Sequence, residues 1–224
     1  MKIIVLLSLT LYCCLLCAAS ALQATSIPPL IDVPTFSLST VGSDGSSSTM
    51  NILTYASPVA IKPHRMWSIS LYKGTQSHEN FAKAQRGILQ LLRPDHASCK
   101  GDEDGDTSGK LIRVLGGNSG RDVDKQAICD ELGFQWKKLE CNEGEIDNGW
   151  PKVLPGCVYY LKLELVGEMI DCGSHDVALC RVVEMISEDD SIIDAADELD
   201  YISTRALRKI DLISEFGRIK DVEE

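Results

Sequence analysis

The chain has 224 residues, a formal net charge of -11 at pH 7 and 44% hydrophobic residues. This length suits one domain with a sizeable core and excludes two large domains once an amino-terminal targeting segment is removed. The acidic balance and the lack of a Lys/Arg cluster argue against a nucleic-acid or anionic-membrane partner, because such surfaces need clustered basic side chains.

The amino terminus has the pattern of a secretory signal peptide. Lys2 precedes a long apolar run that ends in small residues at positions 18–21, so we expect cleavage after Ala21 and loss of residues 1–21. An uncleaved membrane anchor is the alternative. It is disfavoured because polar residues interrupt a run that is barely long enough to span a bilayer. After removal of the signal peptide no membrane association is expected.

Residues 22–48 are rich in Ser, Thr and Pro and lack Lys and Arg. They show no sustained hydrophobic period, which predicts a flexible leader outside the fold. A signal peptide followed by such a leader resembles the two-part plastid address of algae whose chloroplasts lie inside the secretory system. We therefore expect entry into the secretory pathway and onward transport to an algal plastid, with secretion as the alternative.

The segment Met66–Tyr72 alternates between apolar and polar residues. Trp67, Ile69 and Leu71 share one face, which is typical of a half-buried strand. We interpret Trp67 as part of the core, because it lies on the same face as Ile69 and Leu71.

A turn and a helix start follow this strand. Ser77 is a good N-cap, so we expect a helix to begin near His78. The unsatisfied N–H groups and positive dipole end of that helix, with Lys73 and the hydroxyls of Thr75 and Ser77, suit a phosphate monoester. The alternative is that Ser77 caps a surface helix and Lys73 is a solvated charge.

Most of the remaining regular elements are short strands. They are predicted over residues 51–55, 59–61, 87–92, 161–166 and 177–185, with helices over residues 111–115 and 122–132. Six strands with few helices predict a mainly β (α+β) barrel.

Cysteine and histidine positions do not indicate a metal centre. Of nine cysteines, three fall in the signal segment, and the others form no CxxC pair or zinc-ligand spacing with His. His64, His78 and His96 stand in no functional context and are predicted on the surface.

Six segments, in this order, resemble the flavin reductase-like, FMN-binding split-barrel family. They are NILTYASPVAIKP, MWSISLYKGTQSHENF, GILQLL, LGGNSGRDVDK, GSHDVALCRVVE and YISTRALRKIDLI, and they span about residues 49–213. The resemblance implies a split barrel over residues 49–186 and an acidic helical extension over residues 187–224 that closes the domain. It also implies a homodimer with FMN at its interface.

The same resemblance assigns a cofactor site. It implies that FMN is bordered by Asn51, Thr54, Tyr55, Ala56 and Ser57, edged by Ser68, Ile69 and Ser70, and held at its phosphate by Lys73, Thr75, Ser77 and Asn80. His175 follows Gly173 in a Gly-x-His motif and is implied to face the nicotinamide and flavin as the catalytic residue. The alternative for His175 is a hydrogen-bonded turn histidine.

The implied function is that of an FMN-binding oxidoreductase. It would transfer hydride from NAD(P)H to bound flavin and on to free flavin or another small-molecule acceptor. A non-enzymatic flavin- or haem-binding split-barrel module is the alternative, because a fold does not fix a function. An acidic secreted structural protein would explain the signal peptide but not the helix start KGTQSHEN.

Overall fold

The computed structural model describes residues 30–42, 45, 47–98, 109–139, 149–187, 199–214 and 218–220. The described residues from Asp32 onward belong to one compact unit. The signal peptide predicted over residues 1–21 lies outside the described residues. No helix among the described residues is long and apolar enough to cross a membrane.

Within the described residues, eight antiparallel strands form one sheet. They are β1 Phe36–Val41, β2 Ser48–Leu53, β3 Ala56–Ala60, β4 Met66–Tyr72, β5 Arg86–Leu91, β6 Tyr160–Leu165, β7 Ile170–Cys172 and β8 His175–Ile186. The sheet order is β2-β1-β5-β6-β8-β4-β3, and β7 pairs with β8. This curled sheet confirms the predicted mainly β split barrel.

Four α-helices accompany the sheet in the described part of the chain. They are α1 Gln76–Ala84, α2 Lys110–Gly117, α3 Lys125–Glu131 and α4 Thr204–Lys209. A short 3-10 helix, Pro94–His96, follows β5.

Two hydrophobic clusters cover opposite faces of the sheet. Ile88 and Leu89 are neighbours in β5, so their side chains point to opposite faces, and they belong to different clusters. The barrel interior contains Leu89 and Phe81 of α1. Burying a side chain such as Phe81 completely contributes about 1.5–3 kcal/mol of stability. The other cluster contains Ile88 and residues of α2, α3 and α4.

The leader predicted over residues 22–48 is wrong in its second half. Strand β1 occupies Phe36–Val41, and all six of its residues are buried. It lies between β2 and β5, paired with both, so the barrel begins before residue 49. The Ser and Thr residues of FSLSTV suggest a solvated leader. Both faces of this strand are covered, so these hydroxyl side chains are buried instead.

The strand predicted over Met66–Tyr72 is confirmed as β4. In β4, Ile69 and Leu71 are buried and Tyr72 is exposed. Trp67 packs edge-on against Phe36, with 5.8 Å between ring centroids, as expected for a core residue. The other predicted strands and helices fall within a few residues of the observed ones, whereas β1 and the short β7 were not predicted.

The carboxyl-terminal extension contributes one described helix. The N–H of Ile202 donates to Leu92 O, and the N–H of Thr35 donates to Ile202 O, so this segment closes against the ends of β1 and β5. The parts of the predicted extension at residues 188–198, 215–217 and 221–224 lie outside the described residues.

The surface position predicted for His96 is wrong. Its ring is 2% exposed and bridges two backbone groups. Nδ1 accepts from the N–H of Arg93 at 3.0 Å, and Nε2 lies 3.0 Å from Pro155 O, to which it donates. An accepting Nδ1 requires the neutral ring, and burial, which lowers the pKa of His96, favours that form.

Candidate functional site

A cavity of about 620 Å³ opens where β2, the end of β4, the start of α1 and the end of α2 meet. This volume lies within the range of small-molecule and cofactor sites. Apolar side chains, including Leu38, Leu53 and Leu71, form part of its wall. None of the described residues that line it is an Asp or a Glu.

The structure brings together seven of the thirteen residues assigned from the sequence. The cavity is lined by Asn51, Thr54, Tyr55, Ser70, Thr75, Ser77 and His175. These residues come from β2, the turn before β3, β4, α1 and β8, so the sheet and one helix start converge on a single site.

The other six assigned residues lie outside the cavity lining. Ile69 is fully buried in the barrel interior. In the antiparallel pair of β3 and β4, Ala56 is opposite Ile69 and Ser57 is opposite Ser68. The Asn80 amide donates to Thr40 Oγ1 at 3.4 Å. Lys73 is the sixth.

The start of helix α1 differs from the prediction by two residues. Thr75, not Ser77, is the N-cap, because its backbone is extended and its Oγ1 accepts from the N–H of His78 at 3.2 Å. The same hydroxyl donates to Tyr72 O at 2.9 Å. Ser77 is therefore inside the first turn, buried, with its side chain in the cavity wall.

Lys73 is engaged by two carboxylates. Its Nζ lies 2.8 Å from Asp171 Oδ1 and 3.2 Å from Asp176 Oδ1. The bond to Asp171 raises the pKa of Lys73, and the pKa of Asp171 is lowered in turn. The ammonium group thus ties the loop before α1 to the hairpin of β7 and β8.

Asp176 also binds His78, a residue whose predicted surface position is wrong. Asp176 Oδ2 lies 2.7 Å from His78 Nε2, and both side chains are mostly buried. The bond to His78 lowers the pKa of Asp176, and Lys73 lowers it further. The contact joins residues 98 positions apart, so no local pattern could have revealed it.

His175 lies at the rim of the cavity. Its Nδ1 is 2.9 Å from Ser174 Oγ, and its ring makes edge contacts with Tyr72 and Tyr55, at centroid distances of 5.2 and 6.1 Å. The hydrogen bond fits the turn-histidine alternative, while the position in the lining fits the functional one. With Nδ1 engaged, Nε2 is the ring nitrogen that can meet a ligand.

Arg218 is a lining residue that the sequence did not indicate. Its guanidinium carbon lies 5.4 Å from the ring centroid of Tyr72, a cation–π distance. Ile219, the next residue, packs against Gly116, where a Cβ atom would come within 2.7 Å of Ile219 Cγ1. The glycine therefore lets the carboxyl-terminal segment approach the end of α2.

Candidate metal ligands do not cluster among the described residues of the chain. Within the described ranges, no group of three His, Cys, Asp or Glu side chains is placed to hold a metal ion.

Comparison with known structures identifies the fold. No family model and no curated protein sequence matches the chain. Flavoredoxin from Methanosarcina acetivorans superposes with a TM-score of 0.60 and 15% identity, covering 83% of this chain and 86% of that one. The chain has the flavin reductase-like split-barrel fold.

Two further split barrels support the assignment. The FMN-binding protein from Thermus thermophilus, solved with p-hydroxybenzaldehyde, has a TM-score of 0.54 and 19% identity over 75% of this chain and 82% of that one. The NADH:FAD oxidoreductase from Streptomyces globisporus, in complex with NAD and FAD fragments, has a TM-score of 0.50 and 15% identity over 70% and 76%. At these identities the likeness establishes the fold alone.

Proposed function

We propose that this protein binds FMN in the cavity and acts as an NAD(P)H-dependent, flavin reductase-like oxidoreductase. The observation that carries the proposal is that no described residue of the lining is an Asp or a Glu, combined with the amino-terminal end of α1. In a chain of net charge -11, such a lining favours an anionic ligand. The FMN-binding and NADH:FAD oxidoreductase split barrels described above support the choice of ligand class.

The donor groups fit a phosphate at one end of the cavity. The N–H of His78 already donates to Thr75 Oγ1, whereas the N–H groups of Gln76 and Ser77 are those that a helix leaves without internal partners. Ser77 adds a buried hydroxyl beside them. Thr75 already donates its hydroxyl hydrogen to Tyr72 O. Its part is therefore to fix the helix start, while Ser77 and the backbone would meet the phosphate.

The remaining lining of the cavity fits a planar, partly apolar ring system. Leu53 and Leu71 supply apolar wall, and Asn51 and Ser70 add polar groups at its margin. The N–H of Ser70 donates to Tyr55 O at 2.9 Å, which holds the turn before β3 against β4. Backbone hydrogen bonds therefore hold this part of the site in place, so its geometry is set before a ligand binds.

A bound FMN would supply the redox chemistry, accepting hydride from NAD(P)H and passing electrons to free flavin or another small-molecule acceptor. The protein would supply position and electrostatics. His175 would hydrogen-bond the nicotinamide or the flavin through Nε2, and its hairpin is fastened to α1 by the contacts of Asp176 with His78 and Lys73. Holding both reactants at the cavity rim lowers the entropic part of the barrier.

We also propose that a second copy of the chain covers the cavity rim. Tyr72, Ser70, Val177 and Ile170 share one face of the sheet, since Ser70 pairs with Val177 and Val177 with Ile170. Tyr72 is 46% and Ile170 60% exposed. An apolar face next to a ligand cavity suits an interface. Light scattering of the wild type should give a dimer mass, and Ile170→Asp should shift it to that of a monomer.

The test of the catalytic proposal is anaerobic mixing of the FMN-loaded protein with NADH and, separately, NADPH. Loss of the oxidised-flavin absorbance within seconds with either nucleotide supports a reductase. A protein that binds FMN but keeps its absorbance with both nucleotides would instead be a non-enzymatic flavin-binding module.

A further inference from the structure

We infer that Arg218, and not Lys73, is the cation that binds the phosphate of the flavin. It would thereby make the site selective for FMN over riboflavin. This inference deepens the proposed function and rests on it.

Lys73 is poorly placed for this role. Its ammonium group is within 3.2 Å of two carboxylates, Asp171 and Asp176, and it is absent from the residues that line the cavity. To reach a phosphate there it would have to leave both partners. A phosphate placed beside these two carboxylates would also be repelled by them.

Arg218 is in the lining, and none of the described carboxylates neutralises it. No described carboxylate forms an ion pair with it, and the described lining contains no Asp or Glu. Its guanidinium lies over the ring of Tyr72, the residue whose backbone carbonyl accepts from Thr75 Oγ1. The Tyr72 ring also makes an edge contact with His175, and Arg218 belongs to the same lining as Thr75 and Ser77 at the start of α1.

Hydrogen bonds hold the described segment Arg218 to Lys220 in place. The N–H of Ser214 donates to Arg218 O at 2.7 Å, and the N–H of Lys220 donates to Leu212 O at 2.9 Å. Arg113 Nη1 donates to Lys220 O at 3.0 Å, which fastens the segment to α2. The position of the guanidinium is therefore set by backbone contacts and by the Tyr72 ring.

The chemistry of the side chain suits a phosphate. A guanidinium donates two parallel N–H bonds to phosphate oxygens and stays charged at all physiological pH values. Combined with the first turn of α1 and the Ser77 hydroxyl, it would complete a set of donors for a phosphate dianion. Riboflavin, which lacks the phosphate, would gain nothing from Arg218.

The experiment titrates the full chain with FMN and with riboflavin, following the quenching of flavin fluorescence. Arg218→Gln is expected to raise the Kd for FMN by about tenfold or more, the size of a lost charge-assisted hydrogen bond. The Kd for riboflavin should change by less than about twofold. Lys73→Gln is the matched control and should leave the ratio of the two Kd values as in the wild type.

The results distinguish failure of this inference from failure of the proposed function. A wild type that binds neither flavin overturns both. A wild type that prefers FMN, with R218Q keeping that preference or K73Q losing it, overturns the role of Arg218 alone. If R218Q does not fold, as judged by circular dichroism, R218K decides. This variant keeps the positive charge but loses the two parallel N–H donors of the guanidinium. It should therefore raise the Kd for FMN a few-fold and leave the Kd for riboflavin unchanged.

Discussion

Asp176 Oδ2 lies 2.7 Å from His78 Nε2, and this contact fastens the start of helix α1 to the strand that carries His175. The other oxygen of the same carboxylate lies 3.2 Å from Lys73 Nζ. Two elements that are remote in sequence, and that both contribute lining residues, are thereby held next to each other at one cavity. The proposed phosphate site and the position of His175 therefore depend on a single carboxylate.

Replacing Asp176 by Asn should lower the stability of the protein at neutral pH. It should also make that stability fall less steeply as the pH is lowered. The bond to His78, with Lys73, holds the pKa of Asp176 below its usual 3.8. Such a group contributes stability above pH 3.8 that is lost as the pH falls through the lower folded value. Urea unfolding of both proteins between pH 7 and pH 2 checks this, and equal slopes on the acid side would contradict it.

A chain truncated to begin at Thr49 should not fold. It lacks β1, which pairs with β2 on one side and β5 on the other and buries Phe36 and Leu38. A chain that begins at Leu30 keeps this strand and should show a cooperative thermal transition by circular dichroism. A cooperative transition in the shorter chain would show that β1 is dispensable.

Replacing His96 by Ala should cost about 1–3 kcal/mol, because the N–H of Arg93 and the carbonyl of Pro155 lose a buried partner. Burial lowers the pKa of His96 from 6.5. The unfolded chain therefore takes up a proton below pH 6.5 that the folded one does not, and stability should fall with pH there.

The measurement is the free energy of unfolding by urea at pH 8, 6.5 and 5. The fall toward pH 5 should be smaller in the variant than in the wild type. His64→Ala, at an exposed position, is the matched control and should keep the wild-type profile. A profile unchanged in H96A would mean that the buried imidazole does not cause the pH dependence.

Replacing His175 by Ala should slow flavin reduction by NAD(P)H more than it weakens FMN binding. We expect a loss of about tenfold or more in the reduction rate, as for a hydrogen bond that strengthens in the transition state. The Kd for FMN should change by only a few-fold, because His175 lies at the rim. Stopped-flow absorbance and a flavin titration measure the two quantities. Unchanged reduction would remove the catalytic role.

The part of the fold that could be predicted is the part determined locally. The alternation in β4 and the polar turn before α1 lie within about fifteen consecutive residues, so their period and capping were readable. Even there, Thr75 and Ser77 compete for the N-cap, and the sequence favoured the wrong one.

The part that could not be predicted depends on contacts across the chain. Lys73 meets Asp171 and Asp176 only after the sheet has formed, and Arg218 reaches Tyr72 from the far end of the sequence. Strand β1 was missed for a different reason. Its Ser and Thr residues are typical of a leader, and their burial follows from the layers on both sides.

The most direct test of the cofactor proposal is the flavin content of the purified full-length protein. The protein would be incubated with excess FMN, separated from free ligand by gel filtration and denatured to release what it holds. The account predicts a yellow protein with close to one FMN released for each chain. A colourless protein that retains no FMN after this treatment would contradict it.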